Sequence, residues 1–178
     1  MQRNLGLNRI LILGCSGSGK TFLATTISKN LKIKSYDLDD IFFERKYDIK
    51  RNEIVRLKLL NKITKTKKWI IEGVYSSWID EAVKKSDIVI LLDFPFTILA
   101  WRIFKRYVKR ITKGQKESFK DMLILIRYAF KYKSKNQASG LLKHKELINK
   151  HSVKFIHIQN KSELNRLVKE KFNNNSNN

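Results

Sequence analysis

An α/β fold built on a five-stranded parallel sheet, with helices on both faces, is predicted by three features of this 178-residue chain. Short apolar runs alternate with longer segments of helical spacing, the signature of βαβ units. Most of the short runs are apolar throughout, as strands covered on both faces require. And 42% hydrophobic residues, with 11% aromatic, supply a core for about one domain, which excludes a disordered chain.

The elements follow in order. Arg9 to Leu13 is the first strand, and a helix from Thr21 to Leu31 opens on the glycine-rich segment that follows it. The second strand lies around Lys34 to Asp37. Arg51 to Thr64 carries Ile54, Val55, Leu57, Leu59, Leu60 and Ile63 at roughly helical spacing. Lys68 to Glu72 is the third strand; Ser76 or Ser77 then caps a short helix over Ile79 to Lys84, a serine oxygen accepting from the free first-turn N–H groups. Ile88 to Asp93 is the fourth strand, and Pro95, whose missing N–H costs nothing there, leads into a helix from about Thr97 to Ile111. The next helix, Ser118 to Lys133, stacks Phe119, Met122, Leu123, Ile126 and Phe130 on one face, read as core. Val153 to Ile158 is the fifth strand, and the final helix runs from Ser162 to about Phe172. Residues 1–172 thus read as a single domain, and the polar tail 173–178 is expected to be disordered.

Charge is the compositional outlier, with 38 Lys and Arg against 16 Asp and Glu for a net +22. Such a chain attracts polyanions, among them nucleotides, nucleic acid and anionic membrane surfaces. Lysine-heavy usage beside abundant Asn and Ile is also what an AT-biased genome writes onto surfaces whatever the function. The excess is nonetheless local: Arg102 to Lys145 holds 14 cations against Glu117 and Asp121 alone. The single cysteine, Cys15, cannot form an internal disulfide, and the apolar run Ile10 to Leu13 is too short for a signal core or a membrane span. A cytoplasmic protein, monomeric or weakly dimeric, is expected. No basic amphipathic terminus argues for a membrane role.

Chemistry concentrates at Gly14-Cys15-Ser16-Gly17-Ser18-Gly19-Lys20-Thr21, which matches G-x-x-x-x-G-K-S/T in full between a strand and a helix. Glycines let successive N–H groups point into one concavity, and the helix N-terminus adds a field favourable to phosphate. This is the phosphate-binding loop of the P-loop NTPase fold. Lys20 reaches the β- and γ-phosphates of ATP, and the Thr21 hydroxyl is a ligand for Mg²⁺. Cys15, with no base nearby in sequence, is not read as a nucleophile. Glu72 ends the third strand and Asp93 the fourth, each at the sheet edge where ligands bind in open α/β folds. Only one of them is expected to face the metal, with Glu72 the candidate. Asp37 and Asp39, with Asp40 beside them, follow the second strand and can orient an acceptor hydroxyl or cap the next turn. Arg102 and Arg106 share a helix face at i, i+4, where cations can close over a transferred phosphoryl group; Arg110 continues that face. Arg127, Lys131 and Lys133 offer a second cationic edge, and Thr112 to Lys116, with Gly114, reads as a hinge. The basic stretch 102–145 is accordingly read as a small helical lid.

These residues resemble the adenylate-kinase-like P-loop kinases, and more closely the bacterial topology modulation proteins within that group. The resemblance rests on the glycine loop, Tyr36-Asp37-Leu38-Asp39 with Ile41-Phe42-Phe43, Trp69-Ile70-Ile71-Glu72-Gly73-Val74-Tyr75, Leu92-Asp93-Phe94-Pro95, and Trp101-Arg102 with Arg106. It implies ATP use, Mg²⁺, and a lid arginine pair at Arg102 and Arg106. In nucleotide kinases an Asp-Gly pair ends the third strand and Phe-Pro-Arg follows; here Glu72-Gly73 is followed by Val74-Tyr75-Ser76, which argues against a nucleoside monophosphate acceptor. The expected activity is transfer of the γ-phosphoryl group of ATP to a small anionic acceptor. The alternative is a nucleotide-gated nucleic-acid-binding protein, using Trp101, Phe104, Tyr107, Tyr128, Phe130 and Tyr132 to stack on bases.

Overall fold

A computed structural model describes residues 6–45, 48–115, 118–133 and 140–172; the predicted tail 173–178, and parts of the basic stretch at 116–117 and 134–139, lie outside the described residues. In chain order the first half comprises β1 (Arg9–Gly14), α1 (Lys20–Leu31), β2 (Ser35–Asp37), α2 (Leu38–Phe42), β3 (Phe43–Arg45), β4 (Ile49–Lys50) and α3 (Glu53–Thr64). It continues with β5 (Trp69–Gly73), α4 (Asp80–Lys85), β6 (Ile88–Leu92), α5 (Phe96–Ile111), α6 (Phe119–Lys131), α7 (Leu141–Lys150), β7 (Phe155–Ile158) and α8 (Lys161–Leu167), which winds on as a π-helix over Val168–Phe172. The predicted five-stranded parallel sheet is present, in the order β2-β5-β1-β6-β7.

Alternation along the central strand explains why both faces must be covered. Ile10 and Ile12 of β1, with Ile70, Ile90 and Leu92 of its neighbours, pack on Leu23 and Ile27 of α1 and on Leu99 and Ile103 of α5. Leu11 and Leu13 turn the other way, with Ile71, Val89 and Leu91, onto Leu60 of α3, Val83 of α4 and Ile148 of α7. Each such side chain contributes about 1.5–3 kcal/mol by leaving water, so the sheet is the main source of stability. Because β1 lies at the centre, its C-terminal end opens onto the switch point of the sheet, and the glycine loop follows there.

Two local expectations are corrected. The serines Ser76 and Ser77 do not cap α4: Trp78 and Ile79 are buried first, Ile79 is the capping residue, and the helix begins only at Asp80. Asp80 and Glu81 in that first turn offset the helix field instead. On α6 the stripe Phe119, Leu123 and Phe130 is exposed and not core; the buried residues are Met122 and Ala129. The reason is packing: α6 rests chiefly on α5 and not on the sheet, so only a narrow edge of it reaches the interior. Ser118 does cap α6, accepting from the Lys120 amide at 3.1 Å. The short antiparallel pair β3–β4 and the helices α2 and α7 extend the predicted set of elements.

Candidate active site

The loop between β1 and α1 is shaped by its glycines, and Gly17 shows why. Its φ is +78°, and a Cβ there would stand 2.9 Å from the Leu99 carbonyl oxygen of α5. Only glycine lets the loop turn this tightly against that helix. The Ser18 amide donates to the Cys15 carbonyl at 3.2 Å, closing the turn, and Lys20 Nζ folds back to the same carbonyl at 3.1 Å. Ser18 is fully buried, and its Oγ has no hydrogen-bond partner among the described residues. The Cys15 thiol, also fully buried, is pushed up to about 11 by burial, which favours its protonated form.

Thr21 opens the next turn and donates its hydroxyl to Glu72 Oε1 at 2.6 Å. Glu72 is buried, and burial holds its carboxyl above the ordinary value, a shift that Lys20 and the Thr21 hydroxyl work against. Thr21 and Glu72 together offer hard oxygen donors at the mouth of the phosphate loop. No group of three or more His, Cys, Asp or Glu among the described residues could hold a metal ion by itself. The pair Thr21 and Glu72 nonetheless fits Mg²⁺, which takes one or two protein oxygens and completes its octahedron with water and phosphate. Asp93, the other strand-end acid, is turned elsewhere: Lys133 Nζ lies 2.9 Å from Oδ1, and His157 Nε2 lies 3.0 Å from Oδ2.

Strand register lines up the remaining acids. Asp37 of β2 is the partner of Glu72 on β5, while Gly73, the next residue, pairs with Leu13 of β1 beside the loop. Asp37, Glu72 and the phosphate loop therefore stand side by side along one edge of the sheet. Asp37 caps α2 by accepting from the Asp39 amide at 2.8 Å, and Asp39 accepts from the Tyr75 hydroxyl at 2.8 Å. The Tyr75 ring stacks on Phe42 with centroids 4.7 Å apart, and Trp78 adjoins both.

Over this cluster lies Arg56 of α3, its guanidinium 4.6 Å from the Phe42 ring centroid and 5.6 Å from that of Trp78. Its buried Nε has no hydrogen-bond partner among the described residues, and Glu53 approaches its Nη2 only to 4.0 Å. Sequence reasoning missed Arg56, because it sits within a helix recognised by its apolar spacing alone.

Of the two predicted lid arginines, Arg102 reaches the loop. Its Nη1 donates to the carbonyls of Ser18 at 3.1 Å and Gly17 at 3.4 Å, and its guanidinium lies 4.2 Å from the Phe94 ring centroid. Partial burial lowers its pKa. Arg106, one turn on, has a buried Nε with no hydrogen-bond partner among the described residues. Lys133 of the predicted cationic edge is engaged by Asp93, while Arg127 and Lys131 are exposed.

A second residue that sequence reasoning missed is His144 of α7, fully buried. Its Nε2 lies 3.0 Å from the Val74 carbonyl oxygen and 3.2 Å from that of Tyr75, and Tyr132 Oη lies 2.7 Å from Nδ1. Carbonyls only accept, so Nε2 carries the proton and Nδ1 accepts from the tyrosine. Burial pushes the His144 pKa down to about 4, so the ring is neutral, and it pins the segment after β5 to α7. No local pattern announces a partner 70 residues away.

A strand, a phosphate-binding loop and a helix at the centre of a parallel sheet, with a carboxylate on the adjacent strand, define a P-loop nucleotide-binding domain. The chain belongs to the AAA domain family, whose model matches residues 10–122. An uncharacterized protein of Bacillus subtilis strain 168, YqaC, is 36% identical over 110 residues, or 59% of this chain, and the match spans 62% of that relative's length. Shikimate kinase from Acinetobacter baumannii, solved in complex with shikimate, is similar with a TM-score of 0.54 and 17% identity, covering 94% of this chain and 96% of its own. Shikimate kinase from Bacteroides thetaiotaomicron gives a TM-score of 0.54 at 17% identity, covering 92% of this chain and 97% of its own. At these identities the likeness is one of fold, and it is the P-loop kinase fold.

Proposed function

We propose that this protein is an ATP-dependent kinase that transfers the γ-phosphoryl group to a hydroxyl of a small anionic acceptor. The observation that carries the reading is the order along the sheet edge: phosphate loop on β1, Glu72 on β5, then Asp37 with Asp39 beyond β2. That order supports the reading, because in-line transfer needs a donor site, a metal-side carboxylate and an acceptor-side carboxylate in this succession. The loop amides and Lys20 hold the β- and γ-phosphates. Thr21 and Glu72 hold Mg²⁺, which neutralises charge on the phosphate oxygens when bound. Arg102 and Arg106, within a lid formed by the basic stretch 102–145, stabilise the equatorial oxygens. Asp37 and Asp39 orient the acceptor hydroxyl and receive its proton, Tyr75 holding Asp39 in place. Arg56 supplies the counter-charge for the acceptor's own anionic group, a carboxylate or phosphate. Positioning accounts for most of the catalysis, since phosphoryl transfer asks little covalent chemistry of the protein.

Hydroxy acids are the acceptor class to try first, since shikimate kinases share the fold and Arg56 offers a site for a carboxylate. The resemblance to topology modulation proteins belongs to this reading too, and it names no acceptor. The test is ADP release from ATP·Mg²⁺ with hydroxy acids, nucleosides and nucleoside monophosphates, run beside two variants. Lys20→Ala is expected to lower acceptor-dependent turnover by orders of magnitude with an unchanged circular dichroism spectrum. Arg56→Ala is expected to raise KM for an anionic acceptor and leave KM for ATP unchanged. Near-native turnover in Lys20→Ala would refute the kinase reading.

A further inference from the structure

The α5–α6 pair carries a surface that phosphoryl transfer does not use. On α5, Trp101, Phe104, Val108 and Ile111 stand at i, i+3, i+7 and i+10, so they form one stripe, and all four are exposed, Trp101 to 62%. The opposite side of the same helix buries Leu99 and Ile103. On α6, Phe119, Leu123 and Phe130 form the exposed stripe that the sequence had assigned to the core, Phe130 being 69% exposed. Two half-buried rings of α5 bridge from beside its stripe to the α6 stripe: Tyr107 meets Phe119 at 6.0 Å, and Phe96 meets Phe130 at 5.4 Å. The result is one apolar band, far more than the scattered single residues a surface normally shows.

Cations edge this band on both sides. Helical phase places exposed Lys105 and Lys109 along the outer edge of the α5 stripe, and exposed Lys120, Arg127 and Lys131 along the outer edge of the α6 stripe. No acid occurs in α5 at all, and Asp121 is the single one in α6. Aromatic and aliphatic side chains on one face, bordered by lysine and arginine, are the composition of a helix that lies in a membrane interface.

Charge decides among occupants. A second copy would bring another cationic hairpin against this one, in a chain of net charge +22. Single-stranded nucleic acid offers the required negative charge but stacks on rings, and nothing in it would cover Val108, Ile111 and Leu123. An anionic bilayer satisfies both halves, its acyl region taking the apolar band and its headgroups the flanking cations. We infer that the α5–α6 hairpin docks this protein onto the surface of an anionic membrane. The expectation of no membrane role considered the termini, whereas this amphipathic element is internal. The inference is independent of the kinase reading and is tested without an activity assay.

The experiment is cosedimentation of the full chain with vesicles of phosphatidylcholine alone or mixed equally with phosphatidylglycerol. Trp69 and Trp78 are buried, so a blue shift of tryptophan emission on binding reports Trp101. The expected result is pelleting and a blue shift with the mixed vesicles only. Both are expected to vanish in Phe104→Ser/Ile111→Ser/Phe130→Ser and in the charge reversal Lys105→Glu/Lys109→Glu/Lys120→Glu, each checked for a native circular dichroism spectrum. Failure to pellet with either vesicle overturns the inference, as does equal binding to both, or binding that survives both variants. A dimer in sedimentation velocity that the serine variant dissolves, without vesicle binding, assigns the band to a second copy. Oligonucleotide binding lost in the variants, without vesicle binding, assigns it to nucleic acid.

Discussion

At Gly17 the obstacles to any side chain all belong to α5, the Leu99 carbonyl at 2.9 Å and Ile103 Cγ1 at 3.1 Å. Gly19 has an equally unusual φ of +95°, but the nearest atom to its missing Cβ is Arg102 Nη1 at 4.0 Å. Gly17→Ala should therefore cost the conformational strain and a displacement of α5, on the order of 3 kcal/mol together, whereas Gly19→Ala costs the strain alone, about 1 kcal/mol. Thermal unfolding of both variants checks this, and equal losses would deny the α5 contact a role. His144 makes a pH prediction. Its pKa of about 4 in the fold lies below the ordinary 6.5, so between those values the unfolded chain binds a proton that the native state refuses. Stability contributed by the neutral ring is thus complete above pH 6.5 and declines as pH falls toward 4, by on the order of 3 kcal/mol. Denaturant unfolding at steps across this window should show a shallower decline in His144→Gln than in the parent chain. Identical slopes would mean that the histidine titrates normally. Lys20, Thr21 and Glu72 were legible in the sequence because a motif and a strand end are local patterns. Arg56 and His144 were not, because their meaning lies in partners brought by other elements.

Elements were legible in proportion to their cover. All five strands of the sheet were predicted within two residues of their ends, because a strand buried on both faces reads as an unbroken apolar run. The helix α7 was not, because its buried face carries His144 and Ile148, and a polar residue there hides the apolar period. The five-residue α2 is too short to show any period, and β3–β4 is an exposed pair outside the main sheet. The failure on α6 has a plain physical root: an apolar stripe announces burial, and sequence alone does not say whether the chain or something outside it provides the cover. The turn after β5 supports a prediction at this scale. Tyr75 belongs to no helix or strand, yet its backbone carbonyl faces His144, its ring stacks on Phe42 and its hydroxyl holds Asp39. Tyr75→Phe keeps the first two and removes the third. Its effect should fall on the acceptor, with KM for the acceptor rising about three- to tenfold and KM for ATP unchanged, since the hydroxyl is donated to Asp39 on the proposed acceptor side. Steady-state kinetics with each substrate varied in turn separates these, and a rise in KM for ATP alone would detach Tyr75 from the acceptor side.

For the whole molecule, +22 on 178 residues is a destabilising field as well as a means of attraction. Ion pairs such as Lys150 with Asp80 and Lys143 with Glu146 are exposed, and each contributes at most about 1 kcal/mol. Screening weakens these few attractions and the far more numerous repulsions alike, so repulsion should dominate the response. Raising sodium chloride toward physiological strength, where the Debye length is about 8 Å, should therefore raise Tm. A fall would mean that the pairs outweigh the net charge. Sulfate adds a second effect, because the loop between β1 and α1 is built to hold an anion that the unfolded chain does not bind. At matched ionic strength sulfate should raise Tm more than chloride, partly through its general strengthening of apolar burial. That general part is common to parent and variant. Lys20→Ala lowers only the part due to the loop, so the sulfate-minus-chloride gap should narrow in the variant while the chloride response stays the same. An unchanged gap would leave the cationic surface as a whole, and not the glycine loop, as the anion's binding place.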